Sequence, residues 1–272
     1  MGILNVTPDS FSDGGLYADP EKAIARGLRM VEEGADIVDV GGESTRPGSA
    51  PVTAATEIER VVPVIRGLLE RADVAVSVDT VKPEVAEAAV KAGARMINDV
   101  SGLRYGPGTA EVAAASGADL VIMHSRGTPK DMQSNAAHLG YTDVIAEVIA
   151  ELGPSIQAAL GAGVSPERIW LDPGLGFAKT ATQNLELMAR LEELAALGYP
   201  ILVGPSRKSF IGALTGAPTG ERLGGTAAAV AISILHGARA VRVHDVAEMR
   251  QAALIAALLR DTRLAPPRSA DA

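Results

Sequence analysis

The sequence predicts a single-domain α/β protein built as a closed (β/α)8 barrel, the TIM-barrel architecture. Three observations predict it: short apolar segments recur eight times, Ala-rich segments with helical periodicity separate them, and nearly every apolar segment ends on a polar side chain. Eight strand–helix units fit within 272 residues. A barrel of this kind collects its reactive groups where the strands end, so we expect one mouth lined by these polar residues.

The predicted strands are continuous apolar runs, which is typical of parallel strands buried on both faces. In chain order they are Met1–Asn5, Asp36–Asp39 leading into Gly41–Ser44, Val74–Asp79, Arg95–Asp99, Asp119–His124, Ile169–Asp172, Ile201–Ser206 and Ala240–His244. Long, Gly-rich loops follow several strands, whereas the loops that precede the strands are short. This asymmetry places the working face at the carboxyl ends of the strands.

The first helix opens at Asp19-Pro20-Glu21, which supplies an N-cap, a first-turn proline and a first-turn acid, and it ends near Gly34. The other helices are predicted at Thr56–Arg71, Pro83–Ala92, Thr109–Ser116, Thr142–Ala162, Thr182–Leu197, Glu221–Leu235 and Val246–Leu259. Residues 1–262 then form the barrel. The Pro-containing tail Arg263–Ala272 has no periodicity and is predicted to be disordered.

Composition limits the classes of function. The net charge is −8 and no basic face is evident, which argues against nucleic acid and anionic membranes as partners. The chain has no cysteine, which excludes disulfides, thiolate nucleophiles and cysteine-ligated metals. No signal peptide is recognisable, and the longest apolar stretch, Ala227–Leu235, is far short of a membrane span. We therefore expect a soluble, cytoplasmic protein.

The loop that follows the first strand, Asn5–Gly15, is a candidate lid. Its Pro, Asp, Ser and Gly residues suit an ordinary crossover loop, but that reading leaves a lone Phe11 among polar groups unexplained. A lid that carries Phe11 and the acid Asp13 at its tip accounts for both features. Asn5 offers an amide oxygen to a divalent cation or its amide protons to a phosphate.

The loop that follows the second strand is suited to holding an oxyanion. The paired glycines Gly41-Gly42 allow close backbone approach, and Ser44, Thr45 and Arg46 supply hydroxyl groups and a guanidinium. Asp39, within the strand, is equally consistent with a structural carboxylate and with a functional one. Ser10–Gly15 and Thr45–Gly48 are too polar and Gly-rich to form a core, so we expect both to be mobile without ligand.

Three single polar residues end apolar strands: Asp79, Asn98 and Asp172. Each alone is compatible with a cap of the following helix. Together, at the rim of one barrel, two carboxylates and a carboxamide form a hydrogen-bonding site for a flat, donor-rich heterocycle with a guanidine-like edge.

The last two strands bring positive charge to the mouth. Arg207 and Lys208 follow the seventh strand, and we expect one of them to point inward. Arg242 and His244 lie on the same side of the eighth strand because side chains alternate. TIM barrels often bind phosphate near these two loops.

The remaining histidines and the lone tryptophan are predicted to be structural. His124 follows Met123 at a strand end, His138 lies in a loop, His236 ends a helix, and Trp170 packs at the bottom of the barrel. Met123 is a core residue or packs on a flat ring at the rim. No HxxxH pair occurs, so no zinc site is predicted.

Five segments together resemble the dihydropteroate synthase family of the folate pathway. They are Met1–Gly15, Gly41–Gly48, Ser77–Thr80, Gly204–Ser209 and Arg242–Asp245, and the first two are long and specific. The resemblance covers the chain apart from its tail. It implies a homodimeric TIM barrel that uses magnesium, is a target of sulfonamides, and condenses 6-hydroxymethyl-7,8-dihydropterin pyrophosphate with p-aminobenzoate to give 7,8-dihydropteroate and pyrophosphate.

The resemblance also implies the roles of individual residues. It assigns the pterin pocket to Asp79, Asn98, Met123, Asp172, Gly204 and Lys208. It assigns the pyrophosphate site to Asn5, Ser44, Thr45, Arg242 and His244, with Asn5 as a metal ligand. It assigns the p-aminobenzoate site to Phe11, Arg46, Pro47, Phe177, Lys208 and Ser209. It assigns catalytic roles to Asn5, Asp13, Lys208, Arg242 and His244.

The chain departs from the family pattern after the sixth strand, where Leu175 replaces a common Phe and Ala178 a common Gly. We expect altered packing near p-aminobenzoate with function retained. Two alternative functions stay open. A methyltetrahydrofolate:corrinoid methyltransferase-like barrel would share Asp79, Asn98 and Asp172, but it has no use for the long first loop. A non-catalytic pterin-binding paralogue would keep the motifs without turnover.

Overall fold

The computed structural model describes residues 1–7, 20–43, 51–128, 132 and 135–264. Its strands are β1 Gly2–Asn5, β2 Ile37–Gly41, β3 Ala75–Asp79, β4 Met96–Asp99, β5 Asp119–Met123, β6 Ile169–Asp172, β7 Leu202–Val203 and β8 Ala240–Val241. Strands β1 to β6 form one parallel sheet in sequence order, and β7 pairs in parallel with β8. Isolated parallel bridges, Gly2 with Val243 and Leu171 with Ile201, join the two sheets at both edges. The strands therefore close into the predicted barrel.

The helices connect successive strands and cover the outside of the barrel. They are α1 Pro20–Glu32, α2 Ala54–Leu69, α3 Pro83–Lys91, α4 Gly108–Ser116, α5 Ala136–Leu139, α6 Val144–Gly161, α7 Ala181–Ala189, α8 Leu191–Ala195, α9 Ser209–Thr215, α10 Leu223–Leu235 and α11 Val246–Leu264. Short 3-10 helices occur at Pro166–Arg168 and Thr219–Glu221. Fully buried side chains such as Ile65, Ile97, Leu120 and Leu171 fill the layer between strands and helices.

Inside the ring, an apolar floor lies directly beneath a polar mouth. Met96, Val121 and Leu202 form the floor, with Met1, Ile37, Trp170 and Ala240 packed against it. Side chains on one face of a strand recur every two residues. Two residues further along these strands stand Asp39, Asn98, Met123, Asp172, Gly204 and Arg242. Trp170 is therefore a packing residue, as the sequence predicts.

Several predicted boundaries differ from the structure. Strands β7 and β8 are two residues each. Strand β7 ends where the chain reaches Gly204-Pro205, because proline has no N–H to donate. The helix predicted at Thr182–Leu197 is interrupted at Arg190. Two helices were not predicted: α5, which contains His138, and α9. Helix α11 extends through Leu264, so the first two residues of the predicted tail are helical; residues 265–272 lie outside the described residues.

Among the described residues, α6 is long and apolar enough to cross a membrane by length and composition alone. In the fold it belongs to the outer layer of the barrel. Its buried residues, including Val148 and Leu152, contribute to the core. On α6, Glu147 and Glu151 form ion pairs with Arg126, which is the behaviour of an amphipathic barrel helix.

Candidate active site

A buried cluster of four polar side chains occupies the centre of the barrel mouth. Arg242 donates from Nε to Asp39 Oδ2 at 2.6 Å and from Nη2 to Asp79 Oδ2 at 2.6 Å. Asn98 Nδ2 donates to the same Asp39 oxygen at 3.1 Å. These contacts connect β8 with β2 and β3, which are not its neighbours in the sheet, so all four side chains point into the barrel.

The pKa of Asp79 in this cluster is strongly perturbed. Burial raises the pKa of Asp79 to about 7, although the guanidinium of Arg242 lowers it. Burial alone would lower the pKa of Arg242, but Asp39 and Asp79 raise it above its ordinary value, so Arg242 stays charged. Groups with such shifts in a concave site are candidates for binding or chemistry.

Asp39, which the sequence left undecided, is a central member of the cluster. It is fully buried, and its Oδ2 accepts from both Asn98 and Arg242. Its Oδ1 and the neighbouring Ser77 Oγ have no hydrogen-bond partner among the described residues. Asp39 therefore orients Asn98 and Arg242 from below. Sequence reasoning could not separate this role from that of an ordinary strand carboxylate.

Asp172 lies across the mouth at the end of β6. It is 6% exposed, and its Oδ1 accepts from the backbone N–H of Gly174 at 2.7 Å. Burial raises its pKa, which the Gly174 N–H and the ammonium of Lys208 oppose. Met123, also buried, pairs with Asp172 in the strand register and lines the same region. The structure thus brings together the residues that the sequence places around the pterin.

Lys208 points inward beside Phe177. Its Nζ lies 4.0 Å from the centroid of the Phe177 ring, within the range of a cation–π contact. Burial lowers the pKa of Lys208 to about 8, against the opposing effect of Asp172. An added Cβ at Gly176 would lie 3.0 Å from Lys208 Cδ, so glycine makes room for the lysine stem. Arg207 turns outward and pairs with Asp245, so one member of the Arg–Lys pair points inward as predicted.

His244 follows β8, and Asn5 ends the neighbouring strand β1. His244 N–H donates to Ser206 Oγ at 3.1 Å, and Ser206 Oγ lies 3.0 Å from His244 Nδ1. The Ser206 hydroxyl thus accepts from the backbone N–H of His244 and lies within hydrogen-bond distance of its ring, which orients the imidazole. Ser206 was not predicted, since its role depends on contact with a residue 38 positions away.

The first strand end leaves a small cradle beside Asn5. A Cβ added at Gly41 would lie 3.4 Å from Asp79 Cβ and 3.7 Å from Asn5 Oδ1, so glycine keeps this space open. Among the described residues, no group of three or more His, Cys, Asp or Glu is placed to hold a metal. One amide oxygen fits a magnesium ion that keeps water and phosphate oxygens as its other ligands.

The beginning of the second loop is anchored by an ion-pair cluster in which Glu57 is buried and Lys82 and Glu43 are half-buried. Lys82 Nζ contacts both Glu43 and Glu57, and Glu57 is only 1% exposed. Arg60 donates to the Gly42 carbonyl at 2.8 Å. A Cβ at Gly42 would approach Glu57 Cγ at 2.9 Å, so the close packing of α2 against the loop requires glycine there.

The other predicted site residues divide into two groups. Gly204 lies beside Arg242, and Ser209 is exposed as the first residue of α9. The predicted site residues Phe11, Asp13, Ser44, Thr45, Arg46 and Pro47 lie outside the described residues, as do the segments predicted to be mobile.

The fold and the site define a TIM-barrel enzyme with acceptors for a flat polar ring beside a group of anion-binding donors. Residues 1–244 match the family model of pterin-binding enzymes. The chain is 48% identical to dihydropteroate synthase of Synechocystis sp. over 94% of this chain and 88% of the relative. It is 45% identical to that of Bacillus subtilis over 95% and 88%. The chain belongs to the dihydropteroate synthase family.

Solved structures agree with this assignment. Xanthomonas albilineans dihydropteroate synthase with 4-aminobenzoic acid has a TM-score of 0.88 and 46% identity, covering 98% of this chain and 93% of that one. The Yersinia pestis enzyme with a sulfonamide drug has a TM-score of 0.88 and 43% identity, covering 97% and 94%. Both confirm the TIM-barrel prediction.

Proposed function

We propose that this chain condenses 6-hydroxymethyl-7,8-dihydropterin pyrophosphate with p-aminobenzoate, releasing pyrophosphate. The chain is a transferase of the dihydropteroate synthase family. The observation that carries the proposal is the buried arrangement of Asp79, Asn98 and Asp172 around one mouth, with Arg242 beside them. Its relatives bind molecules of this kind: a Xanthomonas albilineans enzyme is solved with 7,8-dihydropteroate.

The pterin is held by acceptors that match its donor-rich edge. Asp79 and Asp172 supply carboxylate oxygens, and Asn98 supplies a carboxamide whose orientation Asp39 fixes. Lys208 donates from the opposite side. Each buried acceptor that lacks its ligand partner is costly, so the pocket discriminates strongly for a ring that satisfies all of them.

The leaving pyrophosphate is stabilised at the β8 end of the mouth. The C–O bond to pyrophosphate breaks, the electron pair stays on the phosphate oxygen, and the pterin ring nitrogens stabilise the cationic carbon. Arg242, the imidazole of His244 and Asn5 donate toward this developing charge. Arg242 must exchange its contact with Asp79 for the phosphate. A bound magnesium ion would be held by Asn5 and would supply further positive charge to the pyrophosphate.

p-Aminobenzoate attacks through its amine, so a C–N bond forms and the amine loses one proton to solvent. Phe177, Lys208 and Ser209 form the described part of its site. The ring packs beside Phe177, and the positive charge of Lys208 meets the carboxylate. No strong protein base is required, because loss of pyrophosphate precedes attack.

A pyrophosphate-release assay with both substrates tests the proposal. Wild-type protein is expected to release one pyrophosphate per dihydropteroate formed, and only when p-aminobenzoate is present. Lys91→Met, at an exposed position on α3, is the matched control and should keep this activity. Pterin binding without turnover would favour the non-catalytic paralogue. Methyl transfer from methyltetrahydrofolate would favour the methyltransferase alternative.

We also propose that the chain forms a homodimer through α10 and α11. Of the large hydrophobic side chains that are exposed, six lie on these two adjacent helices: Leu223, Ile232, Leu254, Ile255, Leu258 and Leu259. Exposed apolar side chains that collect on one pair of packed helices are typical of an interface. The double variant Ile255→Asp/Leu258→Asp should sediment as a folded monomer, whereas Leu197→Asp, exposed elsewhere, should not change the mass. The cytoplasmic location remains a prediction.

A further inference from the structure

Lys179 is a buried lysine that the roles described so far do not use. It is 3% exposed at the end of the loop between β6 and α7. Its ammonium donates to the carbonyl oxygens of Gly174 at 3.1 Å and Phe177 at 3.0 Å, and it lies 3.0 Å from His124 Nδ1. An ammonium has three donors, and all three have partners here. Burial lowers the pKa of Lys179 to about 7, so the three hydrogen bonds, more than a fixed charge, hold this buried side chain in place.

The imidazole of His124 continues this contact to the outer layer of the barrel. Because Nδ1 accepts from Lys179, Nε2 carries the proton and donates to Glu151 Oε2 at 2.9 Å. Burial lowers the pKa of His124 to about 4, so the ring is neutral and can act as this acceptor. Glu151 is held in turn by Arg126, whose guanidinium lies 3.7 Å from the Tyr141 ring centroid. The chain of contacts through His124, Glu151 and Arg126 therefore fixes the position of Lys179.

The loop that Lys179 holds has an unusual backbone. Gly174, Gly176 and Ala178 all have positive φ, at 68°, 77° and 49°. A Cβ at Gly174 would lie 1.9 Å from the backbone oxygen of His124, so the loop packs directly against the end of β5. Ala178 adopts a conformation that favours glycine, and this conformation needs support from its surroundings. The Lys179 contacts to Gly174 and Phe177 span this strained segment.

The same loop supplies parts of two substrate sites. Asp172 stands at its start and is fixed by the Gly174 N–H. Phe177 contributes the aromatic wall beside Lys208. Lys179 bridges the carbonyl oxygens of Gly174 and Phe177 through hydrogen bonds. It thus sets the distance between the Asp172 carboxylate, which binds the pterin, and the Phe177 ring, which packs beside p-aminobenzoate.

We propose that Lys179 is a positioning residue that clamps the β6–α7 loop and so aligns the pterin and p-aminobenzoate sites with each other. This inference rests on the proposed function, which assigns Asp172 and Phe177 to those sites. Lys179 touches neither substrate. The pyrophosphate donors Arg242 and His244 follow β8 and lie outside this loop.

The test compares wild-type protein with Lys179→Met, which keeps the length of the side chain and removes the charge, and with the exposed control Lys91→Met. Three constants are measured: the Kd of 6-hydroxymethylpterin, the KM of p-aminobenzoate and the Kd of pyrophosphate with magnesium. In Lys179→Met the first two constants should rise about 10-fold or more, because a shift of about 1 Å in a residue that contacts the substrate can weaken binding and catalysis by that much. The pyrophosphate Kd should stay within about twofold, since the effects of changes at separate sites that share no partners are nearly independent.

Each alternative result overturns the proposal. Unchanged constants for both ring substrates would show that the clamp is unnecessary, and an equal loss of all three would show a general structural role. If Lys179→Met does not fold, Lys179→Gln, which keeps two N–H donors without the charge, is measured in the same way. If neither folds, Lys179 serves the fold and the inference is wrong. A wild-type chain that binds the pterin but releases no pyrophosphate would refute the proposed function instead, while the pterin Kd would still test the clamp.

Discussion

Replacing Arg242 with Ala should shift the pH dependence of pterin binding upward, because Arg242 helps to keep Asp79 ionised. The Nη2 atom of Arg242 lies 2.6 Å from Asp79 Oδ2. The pKa of Asp79 is raised to about 7, chiefly by burial and further by Asp39, while Arg242 lowers it. Loss of the guanidinium leaves Asp79 buried beside a second carboxylate with no compensating positive charge at that distance.

The size of the effect follows from the geometry. An opposite charge within hydrogen-bond distance lowers a carboxyl pKa by about 1–3 units. Without Arg242, the pKa of Asp79 should rise above 7 by about that amount, so the carboxyl is mostly protonated at neutral pH. Since one unit corresponds to about 1.4 kcal/mol, pterin affinity at pH 7 should fall about 10-fold or more.

The assay is a calorimetric titration of 6-hydroxymethylpterin, without pyrophosphate, from about pH 6 to pH 9. In the wild type, affinity should strengthen as pH rises through the pKa of Asp79, and in Arg242→Ala this rise should occur at higher pH. His244→Ala is the control, because His244 contacts Ser206 and not Asp79. The ligand's own titration cancels between variants. If Arg242→Ala and wild type share one midpoint, Arg242 does not tune Asp79 and the reasoning fails.

Three further changes test the pocket and its supports. Asp172→Ala should weaken pterin binding by about 2–4 kcal/mol, because ligand donors lose a buried charged acceptor, and an unchanged calorimetric Kd would exclude this role. Ala178→Gly should alter the free energy of unfolding by less than about 0.5 kcal/mol, because relief of positive-φ strain offsets the lost methyl group, whereas Ala86→Gly in α3 should cost about 1–2 kcal/mol in urea denaturation. Lys82→Met should cost about 3–5 kcal/mol by the same measurement, since it leaves a buried carboxylate of α2 unpaired, while Lys91→Met should stay within about 0.5 kcal/mol. Comparable losses for the two lysine variants would contradict that account.

The raised pKa of Asp79 also implies that the free energy of unfolding depends on pH. Its pKa in the folded state is raised from 3.8 to about 7, so the folded state binds the proton more tightly than the unfolded state. The resulting stabilisation of the folded state is present in full at pH values below the pKa of Asp79 in the unfolded state. It is lost as pH rises through the pKa of Asp79 in the folded state. Asp79→Asn should therefore flatten the fall in stability between about pH 4 and pH 7, which urea denaturation at several pH values would measure. An identical pH profile in Asp79→Asn would show that other groups cause the fall.

Much of the fold and of the site could be predicted because buried parallel strands are recognisable as short apolar runs in the sequence. The run Val74–Asp79 is apolar until its last residue, and the same pattern ends β4 at Asn98-Asp99 and β6 at Asp172. Alternation along β8 placed Arg242 and His244 on one face without knowledge of their partners. The predicted ends of strands were wrong where backbone hydrogen bonding sets the boundary. The strand predicted to reach Ser206 ends at Val203, just before Gly204-Pro205.

The sequence by itself determined the order of strands and helices, the face at which they end and the residue types that line it, because these depend on periodicity over a few neighbouring positions. Only the tertiary structure decided which polar groups share a partner. Arg242 and Asp39 are 203 positions apart, and Lys179 and His124 are 55 apart. Their ionisation and orientation are set by burial and by the closure of the ring, which brings distant strand ends within hydrogen-bond distance.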